Sequence, residues 1–312
     1  MICALIYLLL FCLRQPISSC FRTRYAKDAL PTLITIRFSH YCEKARWALD
    51  LLQHAASHKS TQEQLERIEN DSHRYIEHSR SILTHMISSL WHTSGFSSST
   101  PVYITRDKHV LKDSSDILHY VSDELCKLGK PTLYPTAEVE ELENYFNQIL
   151  GIHVRRYGYW LMFQTDDMED ELRNCWLRGT VGFEKWTQQH FFGPIKALAT
   201  KGMNIQEQPS LISKQHIDEV FEKVNQMLEE HDGLYLFKTT YPTAADLTFA
   251  SLAYPMIFPS QCDELIIKYE PNIMSRQMYE QVTAYREQQA GKLVLRMYEQ
   301  DRVVNRIQPN HI

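Results

Sequence analysis

Nowhere in this 312-residue chain do two cysteines stand with two residues between them. The seven cysteines (Cys3, Cys12, Cys20, Cys42, Cys126, Cys175 and Cys262) are odd in number and widely spaced. That pattern excludes a C-x-x-C dithiol centre and a cysteine-pair zinc motif. Three of them fall in the first twenty residues, and the other four have the scatter of reduced thiols rather than of a disulfide framework. Histidine supplies no metal set either. His54 and His58 share helical spacing, but in a polar segment with no neighbouring carboxylate pair, so no metal is expected. A basic face is missing as well: 33 Lys and Arg against 38 Asp and Glu give a formal charge of -5, with no dense cluster to follow a phosphate backbone. Nucleic acid is therefore not an expected partner. No internal repeat is visible.

An apolar run long enough to cross a bilayer is also lacking. The uninterrupted stretch Met1–Leu13 (MICALIYLLLFCL) is too short for that, but it has the length of a signal-peptide core. Arg14, Pro16 and the small residues Ser18, Ser19 and Cys20 follow it, although no positive charge precedes it. Phe21-Arg22-Thr23-Arg24-Tyr25-Ala26-Lys27 is then basic and hydroxylated. A signal core followed by such a stretch resembles the bipartite leaders of plastid proteins in algae with secondary plastids. Residues 1–28 are read as a targeting leader, bound for a plastid, a mitochondrion or the secretory route. If the start site is misplaced, the chain is cytoplasmic.

What remains is the composition of a soluble globular protein, 44% hydrophobic and 23% charged, with length for two domains. From Leu33 the apolar run Leu33-Ile34-Thr35-Ile36-Arg37-Phe38 reads as a buried strand. It turns at Ser39 into a helix whose residues Cys42, Ala45, Leu49 and Leu52 form one apolar stripe. Residues 53–74 are almost devoid of large apolar side chains and read as a solvated insertion, with Thr61 and Gln64 at capping-box spacing. Tyr75-Ile76 resumes a strand. Pro101-Val102-Tyr103-Ile104 and Val110-Leu111-Lys112 form a hairpin, though its turn lacks the usual Asp-Gly. Asp113-Ser114 opens a helix carrying Ile117, Leu118, Val121 and Leu125 on one face, with Gly129 at its end.

Beyond a linker at 129–136 the pattern is helical throughout. Leu142, Phe146, Ile149, Leu150 and His153 mark one long helix. Ile217, Val220, Phe221, Val224, Met227 and Leu228 mark another, stopped at Asp232-Gly233. Pro242-Thr243-Ala244-Ala245-Asp246 starts a third, with Thr243 and Asp246 at capping-box spacing. The expected architecture is an α/β domain at 31–128 followed by an all-α domain at 137–307.

Three features could carry chemistry. Ser39 stands at a strand-to-helix turn, where free N–H groups and the helix dipole stabilise an anion; it is equally an ordinary N-cap. Thr100-Pro101 permits a cis bond that turns backbone groups outward toward a peptide-like ligand, or a plain strand start. Asp113-Ser114 is an adequate N-cap, or a pair that holds a ligand's ammonium and carboxylate groups. Cys42 lies on the buried stripe, where cysteine behaves as a small hydrophobe.

In this order these features resemble the glutathione transferase superfamily, bacterial-type members with serine at the active-site turn. Ser39-His40-Tyr41-Cys42-Glu43-Lys44-Ala45-Arg46-Trp47-Ala48-Leu49 is similar to the active-site turn and first helix of its thioredoxin-like domain. Thr100-Pro101-Val102 is similar to its cis-proline motif, Asp113-Ser114-Ser115-Asp116 to its acidic-serine motif, and Thr243-Ala244-Ala245-Asp246-Leu247 to the capping box of its buried helix. Val154-Arg155-Arg156-Tyr157-Gly158-Tyr159 and Ala290-Gly291-Lys292-Leu293-Val294-Leu295-Arg296 add further echoes.

The resemblance implies a thioredoxin-like N-terminal domain, an all-α C-terminal domain, and glutathione as co-substrate. In it Ser39 would donate to the glutathione sulfur and favour the thiolate. Thr100 and Pro101 would meet the cysteinyl part, and Asp113 with Ser114 the γ-glutamyl end. The second partner would be a small hydrophobic electrophile or a hydroperoxide, set near Tyr157, Tyr159 and Trp160, and a homodimer is common in the family. Serine at position 39 disfavours the mixed-disulfide chemistry of the classes with cysteine there. The insertion leaves the contacts to the glycyl end unassigned. Two other readings remain: a non-catalytic binding or scaffold protein of the same fold, and a thiol-disulfide enzyme based on Cys42.

Overall fold

The computed structural model describes residues 30–57, 73–164, 168–230 and 234–303. The leader, the Thr61–Gln64 capping box and the Asp232-Gly233 stop lie outside the described residues. The N-terminal part runs β1 (Thr32–Thr35), α1 (His40–Ser57), β2 (Ile76–Ser79), α2 (Thr84–His92), β3 (Val102–Ile104), β4 (Val110–Leu111) and α3 (Ser114–Lys127). The strands lie in the order β2-β1-β3-β4. β1 pairs parallel with β2 (Thr32 opposite Ile76) and antiparallel with β3 (Ile34 opposite Val102), and β3 pairs antiparallel with β4.

The strand alternation sorts side chains to the two faces of the sheet. Leu33 joins the main core under α1 and α3, whereas Ile34, Val102 and Ile104 form a separate small cluster. α1 continues to Ser57, some way into the stretch read as a solvated insertion. α2 has no counterpart in the sequence reading. Its N-cap position is Leu83, which offers no side-chain hydrogen bond, so the usual start signal is missing.

The helical part comprises α4 (Ala137–Tyr145), a π-helical segment (Phe146–Leu150), α5 (Gly151–Phe163), α6 (Glu169–Leu177), α7 (Gly182–His190), α8 (Phe192–Gly202), α9 (Glu207–Glu230), α10 (Ala244–Ile257), α11 (Arg276–Glu287) and α12 (Gln289–Gln300). α10 is the central rod: all its residues are buried, and it packs on α1, α4, α5 and α12. Its first turn is held by the Asp246 carboxylate, which accepts from Thr243 N (2.8 Å), Thr243 Oγ1 (2.6 Å) and Leu236 N (2.8 Å). Buried donors are satisfied there rather than left to cost free energy. The observed architecture is a small mixed four-stranded sheet with helices, followed by an all-α part.

α1 departs from the amphipathic pattern. Cys42, Ala45, Leu49 and Leu52 are at most 1% exposed, but so are Glu43, Lys44, Arg46 and Asp50. It packs on α3 and on α10. The charges therefore have to be matched inside the protein.

Candidate functional site

The β1–α1 turn is built from both halves of the molecule. Ser39 N donates to Ile36 O (3.1 Å), closing the turn, and Glu43 N donates to Ser39 O (2.9 Å), starting the helix. Tyr254 of α10 donates its hydroxyl to Phe38 O (2.6 Å), bracing the residue before Ser39 from the central rod. Ser39 is half-buried, and its Oγ accepts a long bond from Cys42 N (3.4 Å).

The Cys42 thiol is the meeting point of two sequence motifs. The Ser39 and Thr100 side chains and the Ile36 backbone all act on it. Burial pushes its pKa up, with Arg46 and those groups opposing. A thiol held protonated in the core is a poor nucleophile. The Thr100–Pro101 peptide is cis, with Thr100 half-buried and Pro101 buried at the entry to β3.

Asp113 is the extended N-cap of α3. Its Oδ1 accepts from Ser115 N (2.7 Å) and Asp116 N (3.1 Å). Asp113 is exposed and Ser114 buried. The second residue of the turn, Ser115, enters a buried network: its hydroxyl donates to Glu143 Oε1 (2.6 Å) and accepts from Lys44 Nζ (3.1 Å) and Asn147 Nδ2 (2.9 Å). Lys44 is a second-turn residue of α1. The same cluster therefore fixes the starts of α1 and α3 relative to each other.

The π-helical segment is where α5 receives α1. Widening a helix by one residue per turn redirects backbone carbonyls, and such segments recur at functional sites. Here Asn147 O accepts from the Tyr41 hydroxyl (2.8 Å), and Gly151 O takes the His40 ring through Nε2 (2.8 Å). Gly151 is required by the approach itself, because a Cβ there would overlap the Tyr41 hydroxyl. Since a carbonyl only accepts, His40 Nε2 carries the proton.

Burial, with the Arg155 charge second, lowers the His40 pKa to about 3. Between the unfolded value near 6.5 and the folded value the unfolded state binds the extra proton, so acid destabilises the fold. Stability should fall by up to about 1.4 kcal/mol per pH unit below about 6.5 on account of His40 alone. Urea unfolding of wild type and His40→Gln between pH 7 and 4.5 checks this. A wild-type slope no steeper than that of the variant contradicts it.

Tyr157, Tyr159 and Trp160, suggested as walls for the second substrate, are 2%, 9% and 8% exposed. Tyr157 stacks on Trp160 (5.7 Å between centroids) and donates to Gln281 Oε1 (3.3 Å), while Tyr159 meets Trp176 edge-on at 6.0 Å. All three are core. Trp160 alone also lines a cleft of about 440 Å³ with Phe163, Lys196, Thr200 and Gln206. Arg155 of α5 is exposed, and its charge acts on His40, Tyr41 and Tyr159. On β2, Glu77 is engaged by Arg46 Nε (2.7 Å) and Thr35 Oγ1 (2.6 Å). No group of three or more His, Cys, Asp or Glu that could hold a metal occurs among the described residues.

No family model matches the sequence, and no curated protein matches it. Solved structures do. A glutathione S-transferase of Ceriporiopsis subvermispora in complex with glutathione is 12% identical, covering 88% of this chain and 98% of its own, at a TM-score of 0.53. A possible glutathione S-transferase from Rhodopseudomonas palustris is 15% identical over 91% and 100%, at 0.46. The beta-etherase LigF from Sphingobium sp. strain SYK-6 is 13% identical over 85% and 98%, at 0.47. The mixed β2-β1-β3-β4 sheet with its cis-proline turn, followed by an all-α part around a buried capped helix, is the glutathione transferase fold.

Proposed function

We propose that this protein binds glutathione across the starts of α1, β3 and α3 and transfers it to small electrophiles, by conjugation or by reduction of hydroperoxides. The observation that carries the reading is a convergence at the N-terminus of α1: the Ser39 hydroxyl accepts from Cys42 N, and Thr100, remote in sequence and at the cis bond before β3, acts with Ser39 on the Cys42 thiol. The Cys42 thiol on which the Ser39 hydroxyl acts is neutral, and a neutral sulfur is a weak acceptor. A thiolate brought by a ligand is a far better one. The helix N-terminus adds its dipole to the same end. Thr100, at its cis bond, offers backbone groups to the cysteinyl part. Asp113, with only Oδ1 spent on the cap, keeps Oδ2 for an ammonium group, and Ser114 stands beside it for the γ-glutamyl carboxylate.

In the transfer the glutathione thiol gives its proton to solvent. The thiolate sulfur then forms a bond to the electrophilic carbon, and the leaving group departs with its electron pair. Ser39 contributes by making the first step favourable near neutral pH. A hydrogen bond to an anion is worth about 1.5–3 kcal/mol. Ser39→Ala should therefore lower kcat/KM for a general aryl halide by about 10- to 100-fold at neutral pH. It should also move the ultraviolet titration of bound glutathione thiol upward. Unchanged turnover in Ser39→Ala removes Ser39 from the mechanism. Activity that survives Ser39→Ala and dies with Cys42→Ala in a folded protein restores the thiol-disulfide reading. Failure of the protein to bind immobilised glutathione leaves a scaffold of the same fold.

A further inference from the structure

Two consecutive arginines follow the π-helical segment, and the fold uses only one of them. Arg156 donates through Nε to Met203 O (3.0 Å) and through Nη1 to Ser213 Oγ (3.0 Å), tying α5 to the α8–α9 region. Arg155 is exposed and has no hydrogen bond or ion pair with any described residue. Its position is nonetheless fixed. Gly151, Arg155 and Tyr159 recur at four-residue steps along one face of α5. Gly151 at the start of that face is seated against His40 and Tyr41, the two residues after Ser39. Arg155 therefore stands one helical turn, about 6 Å of rise, beyond the contact that joins α5 to the thiol turn.

No carboxylate among the described residues forms an ion pair with this charge. The groups it acts on are His40, Tyr41 and Tyr159, and all three are neutral at physiological pH. The helix start that Gly151 contacts, at His40 and Tyr41, is the positive end of the α1 dipole. Two sources of positive potential thus act at the start of α1, and the proposed function accounts for one negative charge there, the glutathione thiolate. An uncompensated guanidinium beside a binding site selects for an anion, and its planar fork suits a carboxylate.

We propose that Arg155 is a specificity-determining residue that selects electrophiles carrying a carboxylate, in place of a purely hydrophobic second substrate. This rests on the proposed glutathione transfer at Ser39. The group held by Arg155 is remote from the reacting carbon. For an activated aryl chloride with a ring carboxylate, the thiolate sulfur adds to the carbon bearing chlorine, and the C–Cl bond breaks with chloride taking the electron pair. The carboxylate stays on the guanidinium throughout.

The test compares 4-chloro-3,5-dinitrobenzoate with its neutral carboxamide, as the ratio of kcat/KM values. Because Arg155 is exposed, the contact is solvent-screened, and a preference of about 3- to 10-fold for the carboxylate is expected in low salt. Raising the ionic strength to about 0.5 M should shrink it. Arg155→Gln should bring the ratio to that of the uncatalysed reactions, Arg155→Lys should keep part of it, and Arg155→Glu should invert it. The effect should fall mainly on KM. A ratio unchanged by Arg155→Gln, or an equal fall for both acceptors, overturns the proposal; the second result would mean that Arg155 serves the thiolate. Turnover of the carboxamide with no carboxylate preference defeats the Arg155 assignment and leaves the transferase standing. No glutathione binding and no turnover of either acceptor defeats both.

Discussion

Arg302→Met is expected to destabilise the protein by about 3–5 kcal/mol. Five charges of alternating sign run through the interior. Asp50 Oδ2 meets Arg302 Nη1 (2.8 Å), Arg302 Nε meets Glu43 Oε1 (2.9 Å), Glu43 Oε2 meets Arg46 Nη1 (3.3 Å), and Arg46 Nε meets Glu77 Oε1 (2.7 Å). Tyr75 donates to Asp50 Oδ1 (2.8 Å), Thr35 to Glu77, and the Arg302 guanidinium lies 5.5 Å from the centre of the Trp47 ring. Arg302 follows the last helix, so it ties the end of the helical part to α1. Without it Asp50 and Glu43, each 1% exposed, both lose their ion pairs with Arg302.

The loss should depend on pH in a definite direction. Burial already raises the Asp50 pKa, with the Arg302 charge and the Tyr75 and Arg302 hydrogen bonds opposing. Removing Arg302 lets burial prevail, so the folded variant holds a proton that the unfolded chain gives up at lower pH. The folded state then binds more protons, and stability of the variant falls as pH rises through the raised pKa. Urea midpoints of Arg302→Met relative to wild type should accordingly be worse at pH 8 than at pH 5.5. A loss under about 1 kcal/mol at pH 8 would mean that water or side-chain shifts neutralise the carboxylates. Arg302→Lys should recover part of the stability, since the charge remains but not the fork that spans two carboxylates.

The same ion run marks where sequence reasoning stops. The stripe of Cys42, Ala45, Leu49 and Leu52 is legible because apolar periodicity is local, and so are the N-cap at Asp113 and the box at Thr243 and Asp246. The β1–α1 turn is legible for the same reason. α2 is not, because Leu83 caps nothing. Burial of Glu43, Lys44, Arg46 and Asp50 is invisible for a different reason. Their partners Glu77, Glu143 and Arg302 are set by tertiary packing, and a charge on a helix reads as solvated until its partner is known. At the site, motif order points to Ser39, Thr100 and Asp113, but only the fold makes Ser39 and Thr100 act on one thiol. The aromatic cluster at Tyr157–Trp160 drew attention by residue type and is core. Arg155 beside it is distinguished by lacking a hydrogen-bond or ion-pair partner among the described residues, which no spacing in the sequence records.

Lys44→Met should cost about as much as Arg302→Met, and should in addition loosen the glutathione site. Lys44 Nζ has three acceptors for its three protons: Glu143 Oε1 (2.5 Å), Ser115 Oγ (3.1 Å) and Asn147 Oδ1 (3.1 Å). Glu143 also accepts from Ser115 Oγ, Tyr134 OH (2.9 Å) and Asn147 Nδ2 (2.9 Å). Burial works against the Glu143 carboxylate, but the Lys44 charge and the bonds from Lys44, Ser115 and Tyr134 outweigh it and hold the group ionised below its ordinary range. Taking away the ammonium leaves that anion buried and unpaired, a loss of about 3–5 kcal/mol. The penalty belongs to the orphaned charge rather than to the lost bonds. Lys44→Met with Glu143→Gln should therefore be more stable than Lys44→Met alone by about 2 kcal/mol, since the amide still accepts from Ser115 or Tyr134 without carrying charge. A double variant less stable than the single one would show that bond count, not charge, governs the cluster. The site should respond separately. Ser115 is the residue after Ser114, and with the cluster weakened the start of α3 is free to shift relative to α1. Glutathione affinity, measured by calorimetry under conditions where each variant is fully folded, should drop in both variants. An analogue lacking the γ-glutamyl group should show no such drop, because it does not use the end that α3 holds.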